Sequence, residues 1–157
     1  TEVDTVISAS AVPCQPIPAT APLVMRKLGM IDGAASAFDV NSMCLGFLTG
    51  MEVAARQIDA GAARHVLVCS SEIASRALPW RTDPETAALF GDGAAAAVLS
   101  LPSRRNRGSR IAAALMRSYP KDVASCQLND PVPGPVQKPR HVQRNGSSGS
   151  GDEDGPS

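Results

Sequence analysis

The segment HVLVCSS, residues 65–71, places the tightest limit on how this chain can fold. Its uninterrupted apolar run is typical of a strand covered on both faces, as in parallel sheets whose strands are joined by helices. Residues 3–9 predict a second buried strand, and residues 37–40 predict a shorter third one. Residues 94–101 predict a fourth strand, although the four alanines there are weak strand formers.

Helices are predicted between these strands. The stretch AVPCQPIPATAP, residues 11–22, contains four prolines, which stop regular structure and require a loop. Thr20 is expected to cap a short helix that stops at Gly29. A longer helix is expected from about Cys44 to Gly61, because apolar residues recur there at spacings of three and four. This apolar stripe contains Cys44, Phe47, Leu48, Met51, Ala54, Ala55 and Ile58.

The resulting order, β-α-β-α-β-β, predicts an α/β fold. Strands that alternate with helices form a largely parallel sheet with right-handed crossovers. The composition agrees with this, since 43% of the residues are hydrophobic but only 3% are aromatic. Such a core consists of small aliphatic side chains, which allow helices to pack closely on a sheet.

Charge and cysteine usage exclude several classes of protein. Fifteen basic residues balance fifteen acidic ones, so no attraction to nucleic acid or to a membrane surface is predicted. The four cysteines include no C-x-x-C pair, so neither a metal site nor a redox dithiol is predicted, and no cofactor is implied. The sequence shows no leader and no apolar run of membrane length, which indicates a cytoplasmic protein with reduced thiols.

The character of the chain changes after residue 102. Residues 1–102 are predicted to form the α/β unit, which opens directly on a strand, as a piece of a larger fold would. Residues 103–130 form an extension that contains an arginine cluster, SRRNRGSR, and a segment, IAAALMRSY, that predicts a strand or short helix. Residues 131–157 are rich in Pro, Gly, Ser and charge, which predicts a disordered tail.

Cys44 lies where a predicted strand ends and a predicted helix begins. A free cysteine is usually a small buried hydrophobe, and Cys14 and Cys69 are interpreted in that way. The first turn of a helix, however, offers unpaired N–H groups and the positive end of the dipole, which favour a thiolate. The same N–H groups can hold the oxyanion that forms when a thiolate attacks a carbonyl. This placement suits acyl transfer through a thioester intermediate.

The neighbours of Cys44 support that hypothesis. Asn41 and Ser42 are expected to cap the turn, and Gly46 is expected to leave backbone room beside the sulfur. Asp92, within Gly-Asp-Gly, is interpreted as a turn residue rather than as an acid. The arginine cluster is interpreted as a solvated linker, with an acidic carrier protein or CoA phosphates as the alternative contact.

Three stretches resemble one known family. FDVNSMCLGF, residues 38–47, resembles the nucleophile segment of the β-ketoacyl-acyl-carrier-protein synthase III family, within the thiolase-like condensing enzymes. ALFGDGAAAAVLS, residues 88–100, resembles the second signature of that family at nearly the expected spacing. QPIPATAPLVMRKLGM, residues 15–30, is similar to the segment that precedes the cysteine. The resemblance covers residues 3–101 almost continuously.

The resemblance implies a fold and an activity. The fold is thiolase-like, with two halves stacked in αβαβα layers, usually as a homodimer, and this chain matches part of the N-terminal half. Cys44 matches the cysteine that attacks an acyl-CoA or acyl-carrier thioester, and its own backbone N–H is one oxyanion donor. The acyl group is then condensed with malonyl-carrier protein in fatty-acid biosynthesis. A histidine and an asparagine assist this second step, and both lie in the other half of the family's fold.

Other candidates follow from the same resemblance. Trp80 and Arg81 lie in the loop where family members place a residue against the adenine of CoA, which makes them candidates for substrate binding. His65 stands too close to Cys44 in sequence to be the partner histidine, and it is expected at the surface. His141, within RHVQRN, does not match the partner histidine of the family, because neither its neighbouring residues nor its distance along the sequence agree with that motif. Both partners are therefore expected to be absent from this chain.

Three alternatives remain. Plant-type (type III) polyketide synthases usually show Cys-Phe-Ala-Gly after the nucleophile, where this chain has Cys44-Leu45-Gly46-Phe47. Head-to-head condensing enzymes for long-chain olefins show Cys-Leu-Gly-Phe, but usually carry a glutamate before the proline that corresponds to Pro18, and here Ile17 occupies that place. The third alternative is a truncated, catalytically incompetent fragment.

Overall fold

A computed structural model describes residues 2–102 and 108–121 of the chain. Four strands and the helices predicted between them are present in the expected order, with two 3₁₀ turns and a short helix in addition. The elements are β1 (Thr5–Ser8), α1 (Thr20–Lys27), β2 (Ser36–Asp39), a 3₁₀ turn (Met43–Leu45), α2 (Gly46–Asp59), β3 (His65–Glu72), a second 3₁₀ turn (Ala74–Arg76), α3 (Pro84–Ala87) and β4 (Gly93–Ser100). Within the described ranges, no helix has the length and apolar character needed to cross a membrane.

The region after β4 differs from what the sequence predicts. Residues 108–119 form neither a helix nor a strand, so the predicted element over IAAALMRSY is not formed. The predicted disordered tail, residues 131–157, lies outside the described residues, as do most of the arginine cluster, Cys126 and His141.

The four strands form one sheet in the order β2-β1-β3-β4. β1 is parallel to both β2 and β3, whereas β4 is antiparallel to β3. The prediction of a largely parallel sheet is therefore confirmed. Ser8 pairs with Asp39 on one side and with Cys69 on the other, so the carboxyl ends of the three parallel strands meet at one edge of the sheet.

Both faces of this sheet are covered, which explains the uninterrupted apolar runs. Neighbouring residues of β1, Val6 and Ile7, are both fully buried and point to opposite faces. Ile7 packs with Ala54 and Ile58 of α2, and Val6 packs with Ala21 of α1. The described chain therefore contains three layers, α1, sheet and α2, of the five predicted for a complete thiolase-like fold.

The start of α1 is capped by a residue that the local sequence does not reveal. Thr20 is the first helical residue and makes no side-chain cap, so its predicted role is wrong. Asp39, at the end of β2, accepts hydrogen bonds from the N–H groups of Thr20 (2.7 Å) and Ala21 (2.8 Å) instead. A carboxylate there satisfies two of the unpaired donors of the helix and opposes its dipole. The predicted stop at Gly29 is confirmed, since its φ is +66° just beyond the helix.

α2 lies on the sheet through part of the predicted stripe, Ala54 and Ile58, together with two glycines. Its buried residues are Gly46, Gly50, Ala54 and Ile58, each four positions apart. Leu48, which the stripe places in the core, is 58% exposed. A Cβ on Gly50 would lie 2.9 Å from Cγ1 of Val68, so the helix approaches β3 more closely than a side chain allows. Apolar periodicity identifies Ala54 and Ile58 but misses Gly46 and Gly50, because glycine does not count as an apolar residue.

Candidate active site

Cys44 lies in an exposed turn at the carboxyl edge of the sheet. The turn, Met43–Leu45, is a 3₁₀ turn that follows β2, and α2 begins only at Gly46. The helix therefore begins two residues later than the start at Cys44 that the sequence predicts, and the side chain of Cys44 is exposed. Because β2 ends beside the last residues of β1, the sulfur is on the same edge of the sheet as the end of β3.

The backbone bends sharply immediately before the cysteine. Met43 has a φ of +50°, a left-handed conformation that costs a residue with a side chain about 1–2 kcal/mol. Backbone strain of this kind is concentrated at functional sites, where the surrounding structure maintains it. The strained residue directly precedes the proposed nucleophile.

The hydrogen bonds that the described residues make in this turn involve the backbone N–H groups on both sides of Cys44 but not that of Cys44 itself. Oδ1 of Asn41 accepts from the N–H of Met43 at 2.9 Å, so the predicted cap by Asn41 is confirmed. Ser42 makes no side-chain cap, contrary to prediction, although its carbonyl accepts from the N–H of Leu45 at 3.1 Å. Within the described part of the chain, the N–H of Cys44 has no acceptor. This amide is therefore available to an oxyanion formed next to the sulfur.

Gly46 has a different role from the one predicted. A Cβ at this position would lie 2.5 Å from the carbonyl oxygen of Ala9 and 3.4 Å from its carbonyl carbon. The glycine is therefore required by the close approach of α2 to the end of β1, rather than by space beside the sulfur. This contact fixes the first residue of α2, two positions after Cys44, directly against the exit of β1.

An open groove of about 360 Å³ lies at the end of β3, and Cys44 is not among the residues that line it. Its lining residues come from the first turn of α2, the end of β3 and the start of β4. They are Phe47, Ser70, Glu72, Gly91, Gly93, Ala94 and Ala95. The sequence analysis singled out the Gly91-Asp92-Gly93 stretch but missed Glu72. The one sequence feature that could have indicated Glu72 is its position as a carboxylate at the end of a buried strand.

Asp92 and Trp80 are both held by Ser75. Oδ1 of Asp92 accepts from the N–H of Ser75 at 2.8 Å, and Oδ2 accepts from its hydroxyl at 2.7 Å. These hydrogen bonds lower the pKa of Asp92, so the carboxyl is ionised at neutral pH and cannot serve as a general acid. The Nε1 of Trp80 donates to the carbonyl of Ser75 at 2.8 Å.

Trp80 and Arg81 are exposed neighbours in the segment between β3 and β4. The indole of Trp80 is 48% exposed, and Arg81 is also exposed. The indole N–H already has an acceptor within the chain, so it is not free to donate to a ligand. Their role in substrate binding stays a prediction.

His65 lies far from Cys44. It is the first residue of β3, and Glu72 is the eighth and last. At about 3.3 Å per residue, the strand separates these two residues by roughly 23 Å. His65 therefore lies at the amino-terminal end of the parallel strands, opposite the end where Cys44 lies, which agrees with its exclusion as a catalytic partner. Among the described residues, no group of three or more His, Cys, Asp or Glu side chains could hold a metal ion.

The three described cysteines differ in environment. Cys14 and Cys44 are exposed, whereas Cys69 is half-buried and its thiol donates to the carbonyl of Ile7. Burial, and secondarily the nearby charge of Asp39, raise the pKa of the Cys69 thiol. A raised pKa leaves less thiolate at neutral pH, and only the thiolate reacts.

A brief treatment with iodoacetamide near neutral pH should therefore modify the cysteines in order. We expect the two exposed thiols, Cys44 and Cys14, to be labelled first, and Cys69 about tenfold or more slowly, since both its access and its thiolate fraction are lower. Peptide mass mapping over time measures the three rates. Labelling of Cys69 as fast as that of Cys44 would contradict the environments described, and denatured chain provides the reference in which the rates converge.

The region around Cys44 matches a known protein family. Residues 38–120 match the family model of 3-oxoacyl-[acyl-carrier-protein (ACP)] synthase III. The chain is 49% identical over 98 residues to the β-ketoacyl-[acyl-carrier-protein] synthase III of Rhodospirillum centenum (strain ATCC 51521 / SW). That alignment covers 62% of this chain and 29% of the relative.

Solved structures give the same result. The 3-oxoacyl-[acyl-carrier-protein] synthase III of Aquifex aeolicus VF5 is similar, with a TM-score of 0.60 and 36% identity over 66% of this chain and 33% of that one. OleA H285D of Xanthomonas campestris is similar at a TM-score of 0.55 and 31% identity, covering 63% of this chain and 33% of that one. The chain spans about a third of the length of these relatives. Because the family match extends over more than half of the sequence, the chain belongs to the 3-oxoacyl-[acyl-carrier-protein (ACP)] synthase III family.

Proposed function

We propose that this chain carries the acyl-transfer nucleophile of a β-ketoacyl-acyl-carrier-protein synthase III. Cys44 takes the acyl group from acyl-CoA or an acyl-carrier thioester, and the acyl group is then condensed with malonyl-carrier protein in fatty-acid biosynthesis. One observation carries the proposal. Cys44 is exposed on a strained turn with its own N–H unpaired among the described residues, and it lies inside the stretch that matches the family.

The geometry suits the first half of that reaction. The Sγ of Cys44, as thiolate, attacks the thioester carbonyl carbon, and the carbonyl oxygen gains the negative charge. The N–H of Cys44 donates to that oxygen, which stabilises the tetrahedral intermediate. The C–S bond to the carrier then breaks, and its thiolate leaves and takes a proton from solvent. The product is a thioester between the acyl group and Cys44.

Trp80 and Arg81 are the proposed contacts for the adenine and phosphates of CoA. The half-exposed indole of Trp80 can stack on a purine, and the exposed Arg81 can pair with a phosphate. The carrier thioester itself is held at Cys44, so the two residues act on the distal part of the substrate.

A homodimer in a reducing, cytoplasmic compartment is also proposed. β2 is an edge strand of the described sheet, and nearby apolar side chains are exposed, which supports pairing with a second copy. They include Ile17 (85%), Ile31 (79%) and Leu28 (57%). The three described cysteines are free, which fits a compartment that keeps thiols reduced.

The remaining alternatives share the cysteine and the Gly-Asp-Gly stretch. A head-to-head olefin-type enzyme is the second candidate, and a type III polyketide synthase is the third. The synthase III structure from Aquifex aeolicus exceeds OleA in both TM-score (0.60 against 0.55) and identity (36% against 31%), which favours the first reading.

Incubation with an acyl-CoA tests the proposal directly. We expect intact-mass spectrometry to show the addition of one acyl group, located by peptide mapping on the peptide that contains Cys44. The addition should disappear in Cys44→Ala and persist in Cys14→Ala, the matched control with an equally exposed thiol removed. Equal acylation of Cys14, or a persistent adduct in Cys44→Ala, would reject the assignment of the nucleophile.

A further inference from the structure

Glu72 joins the ends of β3 and β1 through its carboxylate. Oε1 accepts from the N–H of Ala11 at 2.7 Å, and Oε2 accepts from the N–H of Val12 at 2.8 Å. The hydroxyl of Ser70 donates to Oε1 at 2.9 Å, which fixes the carboxylate from its own strand. Glu72 is half-buried, so these charge-assisted bonds are partly shielded from solvent.

The loop that Glu72 holds has few other anchors. The Ser10 hydroxyl accepts from the N–H of Ser71 at 2.9 Å, and the N–H of Ala9 donates to the carbonyl of Cys69 at 2.8 Å. After Val12 the chain enters the proline-rich loop, where no further strand pairing is available to fix it. The carboxylate of Glu72 is therefore the last anchor along the exit of β1.

This exit is also the surface on which the cysteine turn lies. Gly46 approaches Ala9 so closely that a Cβ would lie 2.5 Å from the Ala9 carbonyl oxygen. Gly46 in turn donates its N–H to the carbonyl of Met43, which closes the turn that contains Cys44. The position of Ala9 therefore limits how closely the start of α2, and with it the turn that contains Cys44, can approach the exit of β1.

We propose that Glu72 is a positioning residue for Cys44: its carboxylate holds the exit of β1, and through the contact between Ala9 and Gly46 it sets the orientation of the Cys44 N–H. The inference rests on the proposed function, since it assigns this orientation a role in acyl transfer. Glu72 touches neither the sulfur nor the substrate in this scheme, and its effect passes through the backbone.

Glu72→Gln separates this role from general stability. The amide keeps one acceptor oxygen but presents an NH₂ group to the second backbone N–H, so one of the two bonds is lost. Transfer from a thioester requires an oriented oxyanion donor, whereas alkylation by iodoacetamide requires only thiolate and access. A misplacement of about 1 Å can reduce a rate about 100-fold.

The experiment compares both rates at Cys44 in the full chain by peptide mass mapping. For Glu72→Gln we expect acylation by acyl-CoA to fall at least about tenfold, while alkylation changes less than about threefold. Glu72→Asp keeps both acceptor oxygens and should recover part of the acylation rate. Glu52→Gln, the same chemical change at the partner of Arg56 on α2, should leave both rates unchanged. Equal effects on acylation and alkylation, or acylation at the original rate in Glu72→Gln, would overturn the proposal.

Amide hydrogen exchange keeps the test independent of the proposed function. If the unsubstituted chain is not acylated at all, the proposed function fails. The rate of amide hydrogen exchange at residues 9–12 and 43–46 then tests whether Glu72 still positions the cysteine turn. Faster exchange at both segments in Glu72→Gln, with an unchanged denaturation midpoint, supports the positioning role. Exchange equal to that of Glu52→Gln overturns it.

Discussion

The purified 157-residue chain is expected to form no measurable β-ketoacyl product when acyl-CoA and malonyl-carrier protein are both supplied. The condensation step creates an enolate on the malonyl group, and this anion needs hydrogen-bond donors close to the acylated sulfur. The loss of one donor of this kind typically reduces the rate about 10² to 10³-fold, so the absence of two among the described residues predicts a loss of roughly 10⁴ to 10⁶-fold.

The described residues do not bring such donors to Cys44. His65 is separated from Glu72 by the length of β3, which is roughly 23 Å at about 3.3 Å per residue. The carboxylate of Glu72 is itself an acceptor and is already paired with two backbone N–H groups. The step that remains within reach of this chain is the transfer of an acyl group to Cys44.

The assay measures both steps in one experiment. Mass spectrometry follows the acyl group on Cys44, while radiolabelled malonyl-carrier protein reports any condensed product. A full-length synthase III assayed in parallel provides the positive control, and Cys44→Ala provides the background. Product formation within about a hundredfold of the full-length enzyme would show that this chain supplies enolate stabilisation that its described residues do not account for.

The sequence predicts the sheet because each strand is determined by local chemistry. β1 and β3 carry apolar side chains on both faces because helices cover both faces of the sheet. In β1, Val6 packs against α1 and Ile7 packs against α2. β4 forms despite its alanines because it pairs along its whole length with β3. The helix ends that glycine sets, such as the one at Gly29, are also predictable from sequence.

The features that the sequence does not predict all depend on contacts between distant residues. Asp39 replaces Thr20 as the cap of α1 from 19 positions away. Glu72 holds Ala11 from 61 positions away. The turn at Cys44 precedes α2 rather than belonging to it, because the start of the helix is fixed where Gly46 contacts Ala9. Local patterns carry no information on such partners, so the sequence identifies Cys44 as the proposed nucleophile but does not identify the residues that support its turn.

Replacing Gly46 by alanine is expected to destabilise the chain by about 2 kcal/mol. Alanine is ordinarily favoured over glycine in a helix by up to about 1 kcal/mol. At this position, however, the added methyl group would lie 2.5 Å from the carbonyl oxygen of Ala9, which is backbone and cannot rotate away. Overpacking of this kind costs about 1–3 kcal/mol, and occasionally more, so the steric term outweighs the gain in helix propensity.

Urea denaturation followed by circular dichroism measures this effect. A destabilisation of about 2 kcal/mol lowers the folded-to-unfolded ratio roughly 30-fold and lowers the transition midpoint at an unchanged slope. Gly91→Ala is the matched control, because its added Cβ meets nothing within 4 Å. Acylation of Cys44 should fall in Gly46→Ala even at urea concentrations where the chain is still folded, since α2 must move away from β1 to accept the methyl group. A Gly46→Ala chain as stable as the original would show that α2 is not held against Ala9, and the described support of the cysteine turn would then be wrong.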